Sequence, residues 1–155
     1  MKIVFSSHSE LCHQFAANPH GEGRASNMSF HDGALYSYGT AIMRFMTDNR
    51  GHEFLLVNKS GYSSSTCKHM GHARRATSHI SPIFEIGGLG RGVSLDYPIK
   101  EIGPMLYAWA IEQAADRQQK ASRARTNKSW LLGSSRDYLI EAQLISDFFG
   151  LKKKV

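Results

Sequence analysis

Residues 28–45 read MSFHDGALYSYGTAIMRF, and after the turn-forming DNRGH of 48–52 the chain continues EFLLVN at 53–58. Two apolar runs flank the Asp32-Gly33 pair. Both residues tolerate the positive φ that a tight two-residue hairpin needs, so Asp-Gly between such runs is a strong hairpin signal. Alternation along the second run would put Tyr36 and Tyr38 on one face and Leu35 and Ser37 on the other. EFLLVN is the most strand-like run in the chain. Antiparallel strands are therefore expected at its centre.

Working outward, KIVFS (2–6) reads as a short first strand. Ser7 or Ser9 can cap a helix through ELCHQFAAN (10–18), where Leu11, Cys12 and Phe15 share a face. NPHGEGRASN (18–27) breaks that helix. Beyond the sheet, Ser65 or Thr66 can cap a helix beginning near Cys67. Residues 80–103 hold many glycines and two prolines, which predicts a long loop with a short strand at PIFEI (82–86). Pro104 fits the first turn of a helix over 104–126, apolar in its first half and basic in its second. The spacing of Ser134 and Asp137 predicts a cap for a last helix over 134–149, with Gly150 as its stop and Lys152, Lys153 and Lys154 near the negative end of its dipole. The expected fold class is α+β: one domain over residues 1–155, with a small antiparallel sheet flanked by three or four helices.

The chain has 155 residues, of which 41% are hydrophobic and 21% charged, values ordinary for a globular domain. Its charge is less ordinary. Nineteen Lys and Arg against 13 Asp and Glu give +6 and a pI near 9.5, which favours nucleic acid or an acidic protein as partner. Cys12 and Cys67 are the two cysteines. The N-terminal apolar run is too short for a secretory signal, and no stretch approaches the roughly 20 apolar residues of a membrane span. The expectation is two free thiols, no membrane partner, and a cytoplasmic setting.

Chemistry concentrates at residues 61–79, GYSSSTCKHMGHARRATSH. A metal is disfavoured, because Cys67, His69, His72 and His79 would share their helix with Lys68 and Arg75, and no second ligand pair follows. No metal and no cofactor is expected. A thiolate at Cys67 would gain from Lys68 and His69, with His31 or Asp32 to assist, but a buried, inert cysteine is the preferred reading. Anion binding fits better. Ser63, Ser64, Ser65 and Thr66 supply hydroxyls beside free amides, and Lys68, His72, Arg75 and His79 recur at helical steps, with Arg74 adjacent. No acidic residue stands between Glu53 and Glu85.

A second basic run carries Arg117, Lys120, Arg123, Arg125 and Lys128, with Trp130 just after; cations beside an aromatic suit phosphate contact with base stacking. Trp130 itself is expected to anchor the last helix in the core. GGLGRG (87–92) lacks the flanking strand, helix and acidic residue of a dinucleotide fingerprint and is expected to be a mobile loop presenting Arg91. His8 and His13 are expected on the surface.

The stretches RASNMSFHDGALYSYGTAIMRF (24–45) and FLLVNKSGYSSSTCKHMGHARRA (54–76) resemble a family of small bacteriophage and prophage proteins. The likeness rests on Arg24, Asn27, Tyr36, Ser37, Tyr38, Gly39, Tyr62, Ser63, Thr66, Lys68 and His69, and extends over residues 5–79. It implies a phage setting and a host-cell cytoplasm, and brings no activity with it. The function expected is a phage-encoded basic protein that engages nucleic acid or an acidic host ribonucleoprotein, with anti-CRISPR-like inhibition of host defence as one form of that role. The alternative is an enzyme acting on phosphate esters or nucleotides, with His69 as acid or base and the Ser63–Thr66 loop as anion cradle. A virion or assembly component is a third.

Overall fold

A computed structural model describes residues 3–60 and 63–151. It is α+β, with a six-stranded mixed sheet and four helices. The chain divides into two compact units, residues 1–96 and 97–155.

In the first unit the strands are β1 (Gly23–Ala25), β2 (Met28–His31), β3 (Ala34–Ser37), β4 (Thr40–Thr47), β5 (Glu53–Asn58) and β6 (Ile83–Ile86), hydrogen-bonded in that order. β1 to β5 form an antiparallel meander. The Asp32-Gly33 turn has φ of 52° and 82°, and Tyr38-Gly39 repeats it at 50° and 79°; both are the doubly positive turn that matches strand twist. Tyr38 therefore sits in a turn, not on the strand face expected for it.

β6 departs from the expected all-antiparallel sheet. It pairs with β5 in parallel, Leu55 opposite Ile83 and Asn58 opposite Ile86. The reason is the intervening helix α2 (Ser64–Ala76), which returns the chain to the starting end of β5. KIVFS is not a strand over its described residues; Val4 makes one bridge to Arg24. It is followed by α1 (His8–Ala17), whose N-cap Ser7 accepts from the Glu10 amide.

α1 and α2 cover one sheet face. Leu11, Cys12 and Phe15 from α1 and Met70, Ala73 and Ala76 from α2 pack with Met28, Phe30, Leu35, Ile42, Met43, Leu55 and Val57. On β5 the alternate residues Phe54 and Leu56 are buried too, and Phe54 packs edge-on against Phe84. EFLLVN thus has no polar face, as a central strand should. Burial pushes the Cys12 thiol up to about 12, so it is inert.

The second unit is a helical hairpin, α3 (Ile99–Arg123) and α4 (Lys128–Phe149), joined by four residues. Both helices begin earlier than expected. α3 starts at the turn after Pro98 and carries Pro104 inside it, while α4 starts after Asn127, a left-handed residue. Ser134 is thereby interior rather than a cap. Gly150 ends α4 at φ 60° as expected; Lys152, Lys153 and Lys154 lie outside the described residues. Small residues line the α3 side of the seam, including Gly103, Ala110, Ala114 and Ala121, opposite Leu131, Ala142 and Ile145. Ser135 Oγ donates to the Ala114 carbonyl at 2.8 Å across it.

Candidate anion-binding site

α2 begins at Ser64, capped by Ser63, whose Oγ accepts from the Thr66 amide. Three consecutive serines offer several equivalent caps, and the chain uses the earliest. That choice rotates the helix so that Thr66, His69, Met70, Ala73 and Ala76 face inward. At about 100° per residue, Lys68 and Arg75 then lie on the opposite side; both are exposed. The helix stops at Ala76, so His79 falls beyond the row in which it was expected.

The hydroxyl run accordingly divides. Ser64 and Ser65 are exposed at the helix start, whereas Thr66 is buried. Ser63 Oγ donates to Thr66 Oγ1 at 3.3 Å, Thr66 Oγ1 lies 3.2 Å from Ser37 Oγ, and Ser37 Oγ lies 2.7 Å from His69 Nδ1. Ser37 and His69 are 1% and 4% exposed. The Tyr38 ring stacks on the His69 imidazole at 5.6 Å, and Tyr38 OH accepts from Asn27 Nδ2 at 3.1 Å. Asn27, Ser37, Tyr38, Ser63, Thr66 and His69 therefore converge; all six are among the residues on which a family likeness was expected to rest. Tyr62, another, lies outside the described residues.

His8, expected on the surface, is half-buried, with its ring 4.5 Å from that of His69 and 6.2 Å from that of His72. Arg75 Nη2 lies 3.0 Å from His72 Nδ1. Burial, then the charges of His8 and His72, hold the His69 pKa below the ordinary imidazole value. Burial, then Arg75 and His8, do the same for His72. Both shifts favour the neutral imidazole. Among the described residues, no three His, Cys, Asp or Glu side chains group to hold a metal ion. Cys67, expected to be buried, is exposed.

The Gly-rich segment is hydrogen-bonded to β4 at and just beyond its C-terminal end. Gly92 N donates to Thr40 Oγ1, Ala41 N to the Val93 carbonyl, and the buried Arg44 donates through Nε to the Ser94 carbonyl and through Nη1 to the Asp32 carbonyl. This brings Arg91 to the rim of a cavity of about 850 Å³ whose wall includes Ser37, Tyr38, Thr40, Ser63 and Thr66. Arg91 was visible in the sequence as a cation among glycines. Its meeting with Ser63 and Thr66 was not.

Of the α2 cations, Arg74 meets Glu85 at 3.0 Å, and Lys59 reaches the same carboxylate at 3.4 Å. The acid-free span thus takes its counter-charge from β6. Lys68 and Arg75 have no carboxylate partner among the described residues.

In the helical hairpin, Lys120, Arg123, Arg125 and Lys128 are exposed around its connection. Lys120 pairs with Asp116 at 2.9 Å. Trp130 is 60% exposed, not the core anchor expected; Leu131 takes that place. The Arg117 guanidinium carbon lies 5.6 Å from the Trp130 ring centroid, a cation–π contact, and Arg117 Nε is buried without a hydrogen-bond partner. The structure brings these cations and the indole together at one end of the hairpin.

No protein-family model, no curated protein and no solved structure matches the chain.

Proposed function

We propose that the protein is a phage-encoded binding protein for nucleic acid, acting on free strands or on a host ribonucleoprotein, with inhibition of a host defence nuclease as its biological role. The observation that carries this is the exposed Trp130, with Arg117 against its ring and Lys120, Arg123, Arg125 and Lys128 beside it. An open indole offers a stacking surface to an unpaired base while neighbouring cations take phosphates. Residues 97–155 hold ten Lys and Arg against six Asp and Glu, so the field there favours a polyanion. Lys68 and Arg75 on α2 supply further phosphate contacts.

Single-stranded RNA and DNA, labelled and titrated by fluorescence anisotropy, test this. Four ion pairs, at Lys120, Arg123, Arg125 and Lys128, predict a slope of log affinity against log salt of about −3, steeper if Lys68 and Arg75 also take part. Reversing Arg123 and Arg125, or Lys68 and Arg75, to Glu should flatten that slope without unfolding the chain. Salt-independent binding, or none, refutes the reading.

One geometric observation favours the enzymatic alternative: Ser37 Oγ stands 2.7 Å from His69 Nδ1, a contact through which the imidazole would take the hydroxyl proton in the tautomer that leaves Nδ1 as acceptor. That reading predicts turnover of a phosphate ester that disappears in His69→Ala while affinity survives.

A further inference from the structure

The cavity in the first unit is a separate place to look for a ligand, and nothing about it depends on the hairpin. At about 850 Å³ it falls within the range of small-molecule sites, which runs to roughly 1,000 Å³. Its wall is unusual in composition. Among the described residues, six hydroxyl side chains and Arg91 line it, with two glycines, and neither an aliphatic side chain nor a carboxylate contributes. A ligand with hydrogen-bonding groups and a negative charge would suit these hydroxyls and Arg91, the one cation among the described wall residues.

Two wall residues narrow the chemistry further. Arg91 has no carboxylate partner among the described residues, and the segment that carries it is fastened to β4 on its C-terminal side at Gly92, Val93 and Ser94. A guanidinium in that state presents a planar fork suited to the paired oxygens of a phosphate. Tyr38 has one ring face covered by His69, yet the residue is 56% exposed. Its uncovered face is a flat aromatic surface at the cavity rim. A phosphate at one side, a stacking plane at another and hydroxyls between them match the three parts of a nucleotide.

We propose that this cavity binds a nucleoside monophosphate, with the phosphate on Arg91, the sugar among the Ser and Thr hydroxyls, and the base stacked on the open face of Tyr38. Ser63 and Thr66, whose hydroxyls are already joined to each other and to Ser37, form a preset floor. The cavity is large enough for one nucleotide and too small for a duplex, so it complements a strand-binding surface rather than duplicating it.

Isothermal titration of the full chain with AMP, adenosine and inorganic phosphate tests the assignment. AMP should bind at least about tenfold more tightly than either fragment, because each fragment forfeits stacking or the ion pair. Arg91→Ala should weaken AMP about tenfold and bring it level with adenosine. Tyr38→Asn, chosen because Asn tolerates the positive φ of that turn, should weaken AMP similarly and leave phosphate unchanged. Reversal of Arg123 and Arg125 to Glu should leave AMP binding intact, so failure of the strand-binding reading and failure of this one are separable. No binding of AMP, adenosine binding as tightly as AMP, or AMP affinity that survives Arg91→Ala would each overturn the proposal. Amide shift mapping on the unmodified protein gives a readout free of substitutions: shifts at Ser63, Thr66 and Gly90 support the site, and shifts confined elsewhere reject it.

Discussion

Replacing Ser37 with Ala removes one oxygen from a buried polar group of the first unit. That oxygen lies 2.7 Å from His69 Nδ1 and 3.2 Å from Thr66 Oγ1, and all three residues are buried. Thr66 keeps its bond from Ser63; His69 Nδ1 keeps none there, and water has no easy approach to an imidazole only 4% exposed. An orphaned buried acceptor costs about 1–3 kcal/mol, so the expected loss is about 2 kcal/mol. For a unit of this size that corresponds to a melting point lower by roughly 8–16 °C. His69→Phe keeps a ring against Tyr38 and His8 while leaving Ser37 bonded to Thr66. The double variant should then be less destabilised than the two single losses added together, because neither partner is left waiting for the other. Both tryptophans, Trp109 and Trp130, belong to residues 97–155, so unfolding of the first unit must be followed by hydrogen exchange of α2 amides or by far-UV dichroism in urea. A Ser37→Ala loss under about 0.5 kcal/mol, or strict additivity in the double variant, would refute the claim that these hydroxyls and His69 form one buried network.

Acid should weaken the first unit. The folded-state pKa values of His69 and His72 lie below the ordinary imidazole value, through burial first in each case, so the unfolded chain takes up these protons more readily. Stability is then full above about pH 6.5 and falls as pH drops below it; urea midpoints that do not decline between about pH 7.5 and 5 would contradict this. Two glycines in the hairpin should respond with opposite signs. A Cβ at Gly103 would stand 2.8 Å from Phe149 Cβ and Cγ, whereas one at Gly133 meets nothing within 4 Å. Gly103→Ala should cost about 1–3 kcal/mol and Gly133→Ala should add about 0.5–1 kcal/mol, both readable from indole emission in denaturant. Arg44→Met deletes the bonds to the Asp32 and Ser94 carbonyls, so protease should cut within residues 87–96 sooner than in the unaltered chain; equal rates would show that the segment is held by its other contacts.

How much of this was legible in the sequence follows the range of the forces involved. The Asp32-Gly33 hairpin was, because both turn residues favour positive φ. The second hairpin was not, because tyrosine is a poor predictor of that conformation and Tyr38 continued the strand's alternation. β5 stood out by composition, but the parallel pairing of β6 depends on how far α2 carries the chain before it turns back. The early start of α4 was hidden because Asn127 takes a left-handed φ without a side-chain cap bond, while Ser134 and Asp137 imitated a cap in the helix interior. Trp130 could have been placed correctly. Leu131, Ser135, Ala142 and Ile145 already mark a seam at helical spacing, and Trp130 lies well off it. The meeting of His8 with His69, or of Arg91 with Ser63 and Thr66, had no local signal at all.

Six of the residues singled out in the sequence also meet in space. Asn27, Ser37, Tyr38, Ser63, Thr66 and His69 are scattered over two stretches, yet they form one connected group in space. Their hydroxyl protons have a single consistent direction when His69 is neutral with Nδ1 as acceptor: Ser63 donates to Thr66, Thr66 to Ser37, and Ser37 to the imidazole. Each hydroxyl then has its proton committed inward, and its remaining lone pair is what it can offer outward. A protonated His69 would donate at Nδ1, and Ser37 would have to turn its proton away. Burial, then the charges of His8 and His72, favour the uncharged imidazole, and with it the donor order that leaves Nδ1 as acceptor. The cationic end of the hairpin needs no such arrangement, since phosphate contacts tolerate mobile side chains and a solvated setting. A preset pocket and an adaptable charged surface call for different local physics, and on the readings proposed above each unit would supply one.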